Sequence, residues 1–389
     1  MNSFQLSPVD YIFTGTASQP ITFAFFYSHQ FDNKKLVESL NEALVYFPIL
    51  KSKLKKISEY DYEYHISEDE LTIDIIDSEV YFEKNARIED LITPVNSLID
   101  EPLTKIKLTQ APNGSVLVIS ISHALVDGFS YFHFLTSWAR IYRGENFIKP
   151  HISRDIVSSY LNNGDDVITK EKVYADCGLF YGAERGGVQT NKLITERIFI
   201  PDEIIKAGID AANKKHNITF SENDWITAMI WKKYVPLWNR SEDNPQTYVT
   251  CPFDFRRVLS GFPKNYFGCA LSFVSVSVDL KTLIETEIED LAVLIKQSVS
   301  KIKSDQIKNS LTTLDDLRKE HGLSAMERIH LRHPENGIII TNLTRMPLRE
   351  IDLGFGKPER FIAYAEIPGS AAILPAEGGV EVFVCYKPE

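Results

Sequence analysis

The hydrophobic positions switch repeatedly between two periods along the chain, so strands and helices are expected to alternate from end to end. Ile21 to Tyr27 is a continuous β-prone run. Leu36, Leu40, Ala43, Leu44 and Phe47 then recur at helical spacing until Pro48 stops them. Glu63 to His65 and Leu71 to Ile76 read as short strands. Ser115 to Ser122 is apolar enough to be the central strand of a sheet. No fixed repeat appears.

Between about Asn162 and Lys192 the pattern lapses into NNGDD and then CGLFYGAERGGVQTNK, with three glycines from Gly182 to Gly187. These have no phosphate-loop spacing, and the segment is expected to be a crossover between two bodies. The boundaries predicted are 1–165, a linker at 166–192, and 193–389. The second body opens with a strand at Leu193 to Ile200 and a helix after Pro201 with an acidic first turn. Another helix starts at Ser221, where Ser221 and Asp224 have capping-box spacing before Trp225 to Tyr234. Strands at Thr247 to Pro252 and Ala270 to Val278, one long amphipathic helix from Leu280 to Ile302, and a set of strands punctuated by Gly and Pro complete the prediction. The pattern predicts an α/β or mixed fold in two halves of similar size, each built of strands and helices.

Composition narrows the function classes. A chain of 389 residues that is 44% hydrophobic supports two cores, because single cores stop growing at roughly 250 to 300 residues. A net charge of −11 argues against a broad nucleic-acid surface, and the basic stretch from Lys51 to Lys56 is too short to change that. Cys177, Cys251, Cys269 and Cys385 are far apart with no CxxC pair. Neither a zinc site nor a disulfide framework is suggested, and reduced thiols in the cytosol fit best. No leader pattern and no membrane-spanning run are visible.

The most informative segment is the end of the central strand, Ser122, His123, Ala124, Leu125, Val126, Asp127, Gly128, followed by a helix with Phe132, Leu135, Ala139 and Tyr142 on its apolar side. A strand end is where clefts form, and an imidazole there has a pKa suited to general-base work. Asp127 has three readings from spacing alone. Its carboxylate orients the imidazole, pairs with a distant Arg to hold the loop, or caps the helix that begins near Phe129. His123 itself has a plain reading as a satisfied strand-end histidine, and His133 reads as a packing residue.

SHALVDGFSYFHFLTSWARIY resembles the HxxxDG segment of the BAHD acyl-CoA-dependent acyltransferases, including the Trp138-Ala139 pair after the Asp. Further resemblances follow in the family's order: Leu6 to Asp10 (LSPVD), Phe47 to Leu54 (FPILKSKL), Trp225 to Lys232, Asp254 to Arg257 with Tyr266 to Ala270 (YFGCA), and Asp352 to Pro358 (DLGFGKP) against a DFGWG motif. The resemblance implies a two-domain chloramphenicol acetyltransferase-like fold with an active-site channel at the interface. It implies His123 as the base that deprotonates an alcohol or amine acceptor for direct attack on an acyl-CoA thioester, without an acyl-enzyme. Asp127 and Gly128 would support the site, Asp127 paired with Arg256 or, as second choice, Arg257. Asp352 and Gly354 would serve fold geometry, and Thr341 would contact the intermediate or the pantetheine arm.

Several positions depart from the family pattern. Leu353 and Phe355 replace the Phe and Trp of DFGWG, Leu343 stands where many relatives have the Trp of Thr-Ser-Trp, and Cys269 replaces the Asn of Y-F-G-N-A. Cys269 reads as a buried small residue. Two other functions remain: a condensation-type domain using a carrier-protein thioester, although Ser122 stands where such domains have a second His, and a non-catalytic acyl-CoA-binding member. The protein is expected to be a cytoplasmic monomer of specialised metabolism that takes acyl-CoA as cosubstrate. It is expected to have no permanent cofactor, metal, nucleic-acid partner or membrane contact, and a local basic patch would hold the CoA phosphates.

Overall fold

The computed structural model describes residues 3–15, 18–79, 82, 91–163, 167–186, 193–238, 245–364 and 367–387. A five-stranded mixed sheet has the order Arg360–Tyr364, Ile21–Tyr27, Gly114–Ile121, Thr104–Ala111, Ile73–Asp77. The predicted central strand is therefore central, and all eight of its residues are buried. Alternation assigns its two faces. Leu117 and Ile119 join Phe23 and Phe25 against the helices Asn33–Tyr46 and Gly128–Tyr142. Val116 and Val118 pack on the other side with Ala24 and Phe26.

The second sheet has six strands, in the order Leu271–Asp279, Gln246–Asp254, Gly337–Asn342, Ser370–Ala376, Gly379–Tyr386, Ile194–Pro201. Helices Asp202–His216, Glu222–Trp238 and Ile288–Ser300 cover its back through Ile205, Trp231 and Ile295. The capping box at Ser221 is formed: Ser221 N donates to Asp224 Oδ2 at 2.9 Å, and Asp224 N donates to Ser221 Oγ at 3.3 Å. The front of this sheet turns toward the first.

The two halves of the chain interleave. Arg360–Tyr364 leaves the second half and pairs antiparallel with Ile21–Tyr27 at the edge of the first sheet, Phe361 opposite Phe25. Part of the crossover is built: helix Lys170–Cys177 ends at Gly178, and Phe180–Tyr181 pairs with Ile329–His330. Gly178 has a φ of +65°, and a side chain there would lie 2.7 Å from the Phe273 carbonyl. Residues 166 and 187–192 of the predicted crossover lie outside the described residues.

Two predicted elements differ. The single helix over 280–302 is two helices, Leu280–Glu285 and Ile288–Ser300, separated by extended backbone at Thr286 and Glu287. Lys232 Nζ donates to the Ile284 carbonyl at 2.8 Å and also to that of Thr286, which meets the carbonyls left open by the break. Apolar spacing continues through the gap and so did not reveal it. Strands were expected beyond 302, yet Ser304–His321 is an 18-residue helix. Ile307, Leu311, Leu314 and Leu317 form a narrow stripe buried in the first body's core, within an otherwise polar segment.

Gly208, inside helix Asp202–His216, faces the Trp225 indole, and a Cβ there would lie 2.1 Å from its Cε2. Ala normally stabilises a helix over Gly by about 1 kcal/mol. Gly208→Ala is expected to destabilise instead, by about 1–3 kcal/mol, measured as a lower urea midpoint.

Candidate active site

The central strand ends in a tight turn. Leu125 N donates to the Ser122 carbonyl at 3.0 Å, and Ser122 N donates to the Leu103 carbonyl at 2.8 Å. This projects His123 from the strand end onto the wall of a cavity of about 2060 Å³. Both halves of the chain line it, through Phe13, His123, Gly128, Phe273, Thr341 and Leu343 among others.

The His123 ring is fixed on two sides. Phe13 stacks on it with centroids 4.0 Å apart and planes 5° from parallel. Cys269 Sγ lies 3.6 Å from Nδ1 and 3.3 Å from the His123 carbonyl. Burial pushes this thiol's pKa well above its ordinary value, so it stays protonated. With its proton on the carbonyl, the sulfur offers Nδ1 only a lone pair, which suits the tautomer protonated at Nδ1 and leaves Nε2 with a free pair. Burial lowers the His123 pKa below 6.5, against the opposing pull of the His123 and Val126 carbonyls and the Asp127 charge. A neutral imidazole at neutral pH results.

Asp127 points away from the imidazole. Oδ1 accepts from Ser130 N at 2.8 Å, so the residue caps helix Gly128–Tyr142. Oδ2 accepts from Arg256 Nη1 at 2.6 Å and from Ala270 N at 2.9 Å. Two of the three readings of this carboxylate thus hold together, the cap and the Arg pair. Asp127 and Arg256 are each 1% exposed. Burial alone would raise the Asp127 pKa, but the Arg256 charge and the Ser130 and Ala270 amides hold it below the ordinary 3.8. Arg256 also donates to Tyr266 O, Ser130 Oγ and Gly268 O at 2.9–3.1 Å. Arg257, the second choice, is exposed.

A second buried pair grips the same loop from below. Arg154 Nε donates to Asp10 Oδ2 at 2.8 Å, and its Nη2 donates to the Leu125 carbonyl at 2.8 Å. Tyr64 OH donates to the Ala124 carbonyl at 2.6 Å. Sequence reasoning noted Asp10 only within LSPVD and missed Arg154, Phe13 and the contact of Cys269. These residues lie far from His123 along the chain, and LSPVD was the one local signal near them.

The remaining predicted residues divide into two places. Gly128 and Thr341 line the cavity. A Cβ on Gly128 would meet Leu343 Cδ2 at 3.6 Å, an ordinary contact, so this glycine keeps cavity space rather than an unusual backbone. Asp352 and Gly354 stand elsewhere, at the far end of helix Gly128–Tyr142, about 20 Å along its axis. Asp352 Oδ1 accepts from Gly354 N at 2.8 Å and Gly356 N at 2.9 Å, and Arg143 donates to the Asp352 carbonyl. Gly354 has a φ of +93°, and its missing side chain makes room for the Tyr142 ring.

Among the described residues, no helix is long and apolar enough to cross a membrane. The model of the Transferase family matches residues 1–389. Hydroxycinnamoyl-CoA:piscidic acid hydroxycinnamoyltransferase of Actaea racemosa is 24% identical, covering 86% of this chain and 81% of that protein. Anthranilate N-benzoyltransferase protein 1 of Dianthus caryophyllus is 23% identical, covering 90% and 81%. Among solved structures, F. graminearum TRI101 complexed with coenzyme A and deoxynivalenol superposes with a TM-score of 0.78 at 15% identity, covering 99% of this chain and 95% of that one.

Arg256→Ala would leave Asp127 and Asp254, both within 3.1 Å of Nη1, without their shared cation. A loss of about 3–5 kcal/mol is expected. Asp127→Asn keeps Asp254 beside Arg256 and should cost less, a ranking that urea denaturation of the two variants checks. The depressed Asp127 pKa adds stability above the ordinary carboxylate value of 3.8, and this is lost as pH falls through the folded value.

Proposed function

Because the chain belongs to the Transferase family, the BAHD acyltransferases, we propose that it transfers an acyl group from acyl-CoA to the hydroxyl or amine of a small molecule, with His123 as general base. The observation that carries this is the ring of His123 on the cavity wall, stacked on Phe13 with Cys269 Sγ beside Nδ1, an arrangement that favours a free electron pair on Nε2. In the proposed reaction Nε2 takes the acceptor proton as the oxygen or nitrogen attacks the thioester carbonyl. The tetrahedral oxyanion collapses, the carbon–sulfur bond breaks, and the imidazolium returns its proton to the departing CoA thiolate. Burial raises the pKa values of Cys177, Cys251 and Cys269, which disfavours a thiolate nucleophile at these positions.

Asp127, Gly128 and Arg256 act on the loop and the space before it, Thr341 contacts the intermediate or pantetheine arm, and Asp352 with Gly354 sets fold geometry. The domains are taken as 1–165 and 193–389 joined by 166–192, with 360–364 lent to the first sheet. The protein works as a cytoplasmic monomer.

His123→Ala is expected to lower kcat/KM about 10²–10⁴-fold in a thiol-release assay while keeping the wild-type circular dichroism; near-normal turnover would overturn the base assignment. The acid limb of the wild-type kcat/KM profile should lie below pH 6.5, because activity is lost only as pH falls through the lowered His123 pKa. Cys269→Ala should lower kcat and leave the KM for acyl-CoA in place.

A further inference from the structure

Two arginines on the cavity wall have only main-chain hydrogen-bond acceptors among the described residues. Arg332 donates from Nε to the Pro368 carbonyl at 2.7 Å and from Nη1 to the carbonyls of His333 at 2.9 Å and Pro334 at 2.8 Å. Arg185 donates to the carbonyls of Ile12 at 2.8 Å, Glu327 at 3.2 Å, Thr14 at 3.3 Å and Met326 at 3.4 Å. Every acceptor is a main-chain oxygen. Carbonyls satisfy the directions of a guanidinium but leave its charge in place. Among the described residues neither arginine has a carboxylate within 4.0 Å, and Nη2 of Arg332 has no hydrogen-bond partner. Burial lowers both arginine pKa values to about 10, which leaves both charged at neutral pH.

Both arginines line the cavity, as does His330, on which both of their charges act. Arg332 is rigidly seated, since its Nε occupies the space where a Cβ on Gly369 would stand, 2.5 Å away. The acidic neighbours are exposed Glu184 on the same wall and Glu327, whose charge acts on Arg185. Arg185 holds the carbonyls on both sides of Phe13, whose ring lies on His123. The patch therefore starts one side chain away from the base. A thioester carbonyl at His123 has its diphosphate a whole pantetheine arm distant, so the CoA phosphates are poor candidates for an anion bound at Arg185.

We propose that Arg332, backed by Arg185, binds a carboxylate of the acceptor, so that the preferred acceptors are alcohols or amines that are also carboxylic acids. This deepens the acyl-transfer reading and rests on it. With Nε and Nη1 of Arg332 spent on carbonyls, its Nη2 is left to donate a charge-assisted hydrogen bond to a carboxylate oxygen.

The test is equilibrium binding of 4-hydroxybenzoate and 4-hydroxybenzamide by calorimetry, which does not depend on turnover. Wild type should favour the acid by about tenfold or more, Arg332→Lys should keep a preference, and Arg332→Gln should reduce it to within about twofold. An unchanged acid-to-amide ratio in Arg332→Gln overturns the proposal. So does a weaker CoA affinity in that variant at an unchanged ratio, which would assign the charge to the cosubstrate phosphates. Malonyl-CoA and acetyl-CoA form the kinetic arm: loss of a malonyl preference in Arg332→Gln would assign it to the acyl group. Melting curves of both variants separate misfolding from lost recognition. If acid binding follows the charge but no acyl-CoA is consumed, the subsite stands and the acyl-transfer reading falls.

Discussion

A carboxylate and a guanidinium, both nearly sealed from water, tie the two halves of this molecule together at the loop that carries His123. Asp127 belongs to the first half and Arg256 to the second, 129 residues apart. Neither charge is tolerable there alone, because the cost of stripping water from an ion is repaid only with a partner and further hydrogen bonds. Those further bonds are themselves informative. Asp127 takes the amides of Ser130 and Ala270, while Arg256 takes Ser130 Oγ and the Gly268 carbonyl. The segment Gly268 to Ala270 is thereby pinned on both sides of Cys269, and the thiol is delivered to His123 Nδ1. The ion pair reaches the imidazole through a neighbour, without touching it.

The loop is also anchored by Arg154 and Tyr64, which take the carbonyls of Leu125 and Ala124. A histidine at a strand end would otherwise have considerable freedom, and a base needs its lone pair fixed relative to the bond it opens. Here stacking, a sulfur contact and two held carbonyls remove that freedom. The cavity in front can then stay wide without loosening the imidazole.

What the sequence disclosed follows the range over which its signals act. The central strand, the capping box at Ser221 and the apolar helix after Gly128 are local patterns, and each is present. The resemblance put Arg256 ahead of Arg257, and Arg256 is the one that lies on Asp127. Phe13 on His123, Arg154 on the Leu125 carbonyl, and the charged wall at Arg185 and Arg332 had no local pattern to betray them. Each depends on segments brought together by tertiary packing. Helix Ser304–His321 was hidden differently: four apolar residues in 18 are enough when a packed core waits for them, and too few to stand out in a polar stretch.

The strand Arg360–Tyr364 has a consequence for how the chain is made. Its partner, Ile21–Tyr27, leaves the ribosome more than three hundred residues earlier and must wait with one edge of its backbone unpaired. The core of the first body is incomplete as well until Ser304–His321 arrives. The first-made half therefore cannot settle as a finished unit ahead of the second, contrary to the usual order of domain-by-domain folding during synthesis. The nascent chain carries an open sheet edge along Ile21–Tyr27 until residues 360–364 have been made.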